Sequence, residues 1–531
     1  MSTPDGVPAR VHIFDTTLRD GSQREGVSLT VDDKLRIAEQ LDHLGVHYIE
    51  GGWPGANPKD DEFFERARNG DLQLTTSTLV AFGSTRRAGG AADGDPTLAN
   101  LAGAGTDVVC IVGKSWDYHV TEALRTSLDE GVAMVRDSIA WLVAQGKRVM
   151  FDAEHFFDGY ARNREFAMRV LAAAEEAGAE VLVLCDTNGG ALGHDAYLVV
   201  RDVVAATSAA VGVHFHNDGG CAVGNALAGV RAGATQVQGC INGYGERTGN
   251  ANLCTIIPNL ALKMGIDTIP ADRLERLTAV SHHIAELVNI TSDPQQPYVG
   301  VSAFAHKAGL HTSAIARARD AYEHVDPEAV GNGSRFVVSE LAGKSTIEMK
   351  AHELGLTLDG PAMSRVLDEL KALEHRGYHF EAADGSLELL MRSSTGWSQE
   401  FFEVESFRVI TEQRENGTFV TEATIKVHVG NERLVATAEG NGPVNALDGA
   451  LRLAIGTAYP ALDHLHLTDY KVRVLDTNKG TGAVTRVLID STDGEESWST
   501  IGVSENIIEA SWQALSDSIV YGLLRSLRTT T

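Results

Sequence analysis

His214 and His216, in the run GVHFHND, stand one residue apart at the end of an apolar, alternating segment. Side chains in a strand repeat every two residues, so both imidazoles point to one face. Two neutral imidazoles side by side at a strand end form half of a divalent-metal site. Asp20, in the run FDTTLRDGSQ after another strand-like segment, offers a carboxylate to complete it. One carboxylate and two imidazoles, with positions left for water and substrate oxygens, suit Mg²⁺, Mn²⁺ or Zn²⁺. Such an ion, open on one side, polarises a carbonyl as a Lewis acid. Arg19 sets a fixed positive fork beside Asp20, either to steady a developing enolate or alkoxide or as a structural ion pair. Thr187 offers a hydroxyl and a backbone N–H to a substrate carboxylate, or simply turns the chain. Glu154 is either a carboxylate that orients a base or a solvated loop residue.

These residues need elements to bring them together. From about residue 10 to 265 a β-branched apolar run, a loop and a helix-period segment recur. The strand candidates are VHIFDTT, HYIEGGW, QLTTSTLV, DVVCIVGKS, RVMFDAEHF, EVLVLCDT, VGVHFHND and TQVQGCING. Helical stretches between them end at Gly45, Gly146 and Gly178, as helix C-termini often do. Eight strands alternating with helices in about 250 residues predict a closed (β/α)8 barrel, an α/β fold, rather than an open sheet. Its active site would lie at the C-terminal strand ends. Arg19, Asp20, Glu50, Glu154, Asp186, Thr187, His214, His216, Asn242 and Glu246 all fall there.

A boundary is expected near TSDPQQPYVG, giving a barrel over 1–290, a mainly helical linker or lid region over 291–400 and an α+β domain over 401–531. Within that last part, VATAEGNGPVNALDGALRLA and WSTIGVSENIIEASWQALSD both run strand, glycine-containing loop, helix. They predict two similar β-rich units, each closed by a helix.

Composition narrows the function classes. The 531 residues are 43% hydrophobic and 22% charged, ordinary for a globular protein. A net charge of −27 argues against broad binding to nucleic acid or anionic membranes. Five cysteines without CxxC spacing point to a reducing, cytoplasmic setting. No leader-like segment and no apolar run near eighteen residues is present, so a soluble protein is expected.

FDTTLRDGSQ, HFHND, GERTGN, FAHKAGLH and GVSENIIEAS, in this order, resemble the isopropylmalate synthase and citramalate synthase family over nearly the whole chain. That family condenses acetyl-CoA with a 2-oxo acid and hydrolyses the thioester. YIEGGWPGANPKD is similar to the longer bacterial members that form citramalate, which implies pyruvate as acceptor. The resemblance implies Asp20, His214, His216 and Asn250 as ligands of the metal, although Asn250 also reads as a loop residue. It implies Arg19 as the catalytic arginine beside the pyruvate carbonyl and Thr187 as the holder of the substrate carboxylate. Glu154 and His311 resemble the dyad associated with deprotonating acetyl-CoA, assisted by Tyr322, with His306 a weaker match than His311. The resemblance further implies closure of the linker over the barrel mouth, a homodimer, and a C-terminal domain that binds an amino-acid effector, isoleucine for a citramalate-forming member. Three alternatives stand beside it: an isopropylmalate synthase using 2-oxoisovalerate under leucine control, a lyase on the same barrel, and a catalytically silent amino-acid sensor. A sensor should show a broken metal set; Asp20, His214, His216, Arg19 and Glu154 are all present.

Overall fold

The structure, a computed structural model, describes residues 6–306, 318, 322–336, 344–356, 358–380, 383–394, 397, 401–475, 480 and 482–529. The chain divides into two compact units: Met1–Phe304 with Val325–Ser334, and Ala305–His324 with Arg335–Thr531.

The first unit is the expected barrel. Its strands are β1 His12–Asp15, β2 Tyr48–Gly52, β3 Thr78–Ser84, β4 Val108–Lys114, β5 Arg148–Glu154, β6 Val181–Asp186, β7 Ala210–Phe215 and β8 Gln236–Gly239. All neighbours pair in parallel, and β1 closes on β8. Period two sorts each strand into two layers. Val109, Ile111, Phe151, Val213 and Val237 face the surrounding helices, while Phe14, Val80, Phe82, Cys110, Met150 and Val183 fill the barrel. Burying each large apolar side chain contributes about 1.5–3 kcal/mol. Inward positions turn polar toward the C-terminal strand ends, with buried Glu50, Asp152, His214 and Gln238.

The first helix, α1 Val31–Leu44, shows how local sequence sets an element. Thr30 and Asp33 form a reciprocal capping box, and Gly45, at φ +92°, ends the helix in the left-handed region. Gly146 and Gly178 likewise follow helices with positive φ. The third strand differs from the sequence expectation. QLTTS is not extended, because the backbone N–H groups of Thr75, Thr76 and Ser77 all donate to the Asp42 carboxylate at 2.7–3.1 Å. That clamp starts β3 at Thr78 and runs it through the apolar AFGS.

In the second unit, helices Lys344–Glu353, Gly360–His375 and Asp384–Ser393 precede two three-stranded antiparallel sheets. The first sheet, Glu403–Gln413, Phe419–Val429 and Glu432–Gly440, is followed by helix Pro443–Ile455. The second, His466–Val474, Thr485–Thr492 and Ser497–Ser504, is followed by helix Ile507–Thr529. The repeated strand, loop and helix order of the sequence is thus a repeated sheet and helix. Ala423, Ile425 and Val427 alternate on one face and share a core with Ala446, Leu447, Ala450 and Leu451. Among the described residues, no helix is long and apolar enough to cross a membrane.

Candidate functional site

Asp20, His214 and His216 meet at the C-terminal end of the barrel. His214 is the inward-facing penultimate residue of β7, and His216, two residues on, pairs with Asn250 in an antiparallel bridge. The Nε2 atoms of the two rings lie 3.1 Å apart, and the Asp20 Oδ2 lies 3.3 Å and 3.7 Å from them. All three side chains are buried. Three donor atoms converging this closely suit a divalent ion. Burial opposes the Asp20 charge, yet Arg19 and the two histidines hold its carboxyl well below the usual range. Burial likewise opposes protonation of His214, but the Asp20 carboxylate outweighs it and raises that ring.

Partners behind the donors set their tautomers. The His214 Nδ1–H donates to Gln238 Oε1 at 2.9 Å, and the Gln238 amide donates to Asp152 Oδ1 at 3.0 Å. The Cys110 thiol donates to the same oxygen at 3.2 Å. With its hydrogen on Nδ1, His214 presents the Nε2 lone pair to the site. His216 is held differently: Arg247 donates to its Nδ1 at 2.8 Å while gripping Asp218 and the Thr187 carbonyl. Ligation through His216 Nε2 would put the ring hydrogen on Nδ1, the atom to which Arg247 donates here. Asn250 adds a further donor. Its amide nitrogen donates to the Tyr244 carbonyl at 3.0 Å, but the buried Oδ1 has no hydrogen-bond partner. A buried carbonyl oxygen left unpaired is costly in itself and suits a hard cation.

Arg19 lies over the Phe82 ring at 3.8 Å, and its Nε donates to Glu50 at 2.5 Å. Burial would lower this guanidinium, but Glu50, Asp20 and Asp152 raise it above its ordinary value. Burial pushes Glu50 up to about 7 despite Arg19, and raises Asp152 as well. Glu50, Cys110 and Asp152 form a second convergent group, a layer further into the barrel. Arg19 binds one Glu50 oxygen, and Gln238 and Cys110 bind Asp152, while the buried Glu50 Oε1 has no hydrogen-bond partner among the described residues.

A cavity of about 280 Å³ opens on this cluster. Thr187 and Glu154 line it, with Phe82, Val112 and Trp53 as apolar walls. The Thr187 hydroxyl accepts from the His155 N–H at 2.9 Å. Glu154 is ion-paired with Lys114, its register partner on β4. Exposed Glu246 also lines the cavity, but Asp186 and Asn242 do not. Asp186 accepts from the N–H groups of Gly190 and Ala191, and Asn242 donates to Tyr244 and the Ser281 carbonyl; both pin loops. His311 lies outside the described residues. Tyr322, in the second unit, is 46% exposed, and His306 lies 3.5 Å from Glu323.

Three family models match successive parts of the chain. Residues 10–284 match the HMGL-like family, 298–378 the homocitrate synthase post-HMGL domain-like family, and 381–523 the LeuA allosteric (dimerisation) domain. The (R)-citramalate synthase of Streptomyces coelicolor is 56% identical over 518 residues, covering 97% of each chain. That of Aquifex aeolicus is 50% identical over 97% of this chain and 98% of its own. The chain belongs to the citramalate synthase family. A 2-isopropylmalate synthase of Methanocaldococcus jannaschii is also similar along its length, at 30% identity over 97% of this chain and 95% of its own. Sequence reasoning missed Gln238, Asp152, Lys114, Arg247 and Trp53 around the Asp20, His214 and His216 cluster. Gln238, Asp152 and Lys114 carry only the signal of a polar residue at an inward position of a buried strand.

Proposed function

We propose that the protein is an (R)-citramalate synthase, condensing acetyl-CoA with pyruvate and hydrolysing the thioester to citramalate and CoA. The observation that carries this reading is the convergence of Asp20, His214 and His216 beside Arg19, in a chain 56% identical throughout to a protein of that activity. Asp20, His214, His216 and the unpaired Asn250 oxygen would hold a divalent ion. When bound, that ion supplies Lewis-acid polarisation of the 2-oxo carbonyl.

The remaining chemistry falls to side chains around the cavity. Thr187 donates its hydroxyl to the acceptor carboxylate and so orients the carbonyl. Arg19, anchored by Glu50 and Phe82, turns its other N–H groups to the oxygen that becomes an alkoxide. Glu154 and His311 take part in removing a proton from the acetyl methyl, and Tyr322 assists. The methyl carbon then bonds to the keto carbon. Water adds to the thioester, the C–S bond breaks, and CoA leaves as the thiol.

The same reading assigns catalysis to 1–290, a linker and lid to 291–400, and regulation to 401–531. It includes a homodimer, feedback inhibition by isoleucine, and a cytoplasmic location, the last supported by five free thiols. Product analysis tests the activity. Incubation with acetyl-CoA, pyruvate and Mn²⁺ should yield citramalate of the R configuration by chiral chromatography. Citramalate of the opposite hand, or no citramalate, overturns the reading.

A further inference from the structure

We infer that Trp53 is the side chain that limits the acceptor to a methyl-bearing 2-oxo acid. This rests on the condensation proposed above. The polar groups of the 280 Å³ cavity can recognise the carboxylate and carbonyl of any 2-oxo acid. Only its alkyl group distinguishes one acceptor from the next, and that group must go to the apolar wall. Phe82, Val112 and Cys185 are strand side chains fixed in the barrel interior, and Arg19 occupies one face of Phe82. Trp53 comes instead from the loop after β2 and meets Phe82 edge-on, with ring centroids 5.5 Å apart at 80°.

The indole also lines a second cavity, of about 540 Å³, which shares Arg19 and Gln23 with the first. Trp53 is therefore a partition: shortening it opens the acceptor cavity toward a larger volume. A partition discriminates only if it is held in place: the ring packs edge-on against Phe82, and the backbone that carries it is fixed. The Trp53 main-chain N–H donates to Asp60 at 3.0 Å, and Asn57 and the buried Lys34 ammonium bind the same carboxylate at 3.0 Å and 2.5 Å. Gly52, at φ +149°, lets the chain pass so close to Asp60 that a Cβ would lie 2.7 Å from its carboxylate. Lys34, Asn57 and Asp60 are positioning residues for Trp53. The motif YIEGGWPGANPKD thereby acquires a physical role: Gly52, Asn57 and Asp60 fix the backbone from which its tryptophan projects.

The test measures kcat/KM of the metal-loaded enzyme for pyruvate, 2-oxobutyrate and 2-oxoisovalerate in the wild type, Trp53→Phe and Trp53→Leu. The expected result is a pyruvate-selective wild type. In Trp53→Leu the ratio of 2-oxobutyrate to pyruvate rises ~10-fold or more, the usual effect of one methylene in an apolar pocket. Trp53→Phe, which keeps an aromatic wall, moves the ratio the same way by less and reports even if the leucine variant fails to fold. Pyruvate selectivity unmoved within twofold in the folded variants overturns this inference and leaves the synthase reading standing. Wild-type preference for 2-oxoisovalerate overturns both the choice of pyruvate and the partition. No turnover of any 2-oxo acid by the wild type overturns the synthase reading, and this inference with it.

Discussion

His214 owes its usable lone pair to Gln238, because an imidazole hydrogen committed to a neighbouring carbonyl cannot occupy Nε2 as well. Gln238→Leu should therefore lower affinity for Mn²⁺ by ~10–100-fold in an equilibrium titration, with turnover recovered at saturating metal. Unchanged affinity would show that the tautomer is fixed by something else. Asp20→Ala removes a ligand rather than its support, so saturating metal should not restore its turnover. Asp20, His214 and His216 were legible because each lies at or just after the end of a strand-like run, and the period of two aims the histidines together. Gln238 and Lys114 were not, because their roles depend on registers with His214 and Glu154, 24 and 40 residues away in the chain. Arg247 escaped for a different reason. It sits in a loop at φ +55°, and no periodicity says where its guanidinium reaches.

Elements carry the cost of placing such groups. Asp15 ends β1 fully buried, and burial outweighs its bonds from Thr17 to raise its pKa to about 7. The folded chain thus binds this proton more tightly than the unfolded chain, whose carboxyl titrates near 4. Stability from this group is retained below pH ~4 and lost as pH rises toward 7. Asp15→Asn keeps an acceptor for Thr17 without the charge. Its stability relative to wild type should increase between pH 5 and pH 8, by on the order of 1–3 kcal/mol in urea denaturation. A difference that stays constant with pH would contradict a raised Asp15. Gly52→Ala forces a Cβ against Asp60 at positive φ and should cost about 1–3 kcal/mol. All eight barrel strands were legible in outline from their apolar runs. The start of β3 was not, since the Asp42 clamp on Thr75, Thr76 and Ser77 is a long-range contact that no local propensity reveals.

At the scale of the whole molecule, a barrel unit and a unit of paired sheets divide the chain. The second unit was legible through its internal repetition: alternation in ATIKVHV gives one buried face, and the helix after each sheet covers a similar core. Its effector was not legible, because loops such as GNGPVN fit a tight turn as well as a ligand. With a LeuA dimerisation match over 381–523, sedimentation should give the mass of two 56.8 kDa chains. Isoleucine, but not leucine, should inhibit turnover; a monomer indifferent to both would remove the regulatory assignment. Central to all of this is condensation at the Asp20, His214 and His216 cluster. Thiol release from acetyl-CoA, with Mn²⁺ supplied and pyruvate compared with 2-oxoisovalerate, tests it most directly. Release that favours pyruvate in the wild type and disappears in Asp20→Ala is the expected result. Release that persists in Asp20→Ala, or that never occurs with a 2-oxo acid, would contradict it.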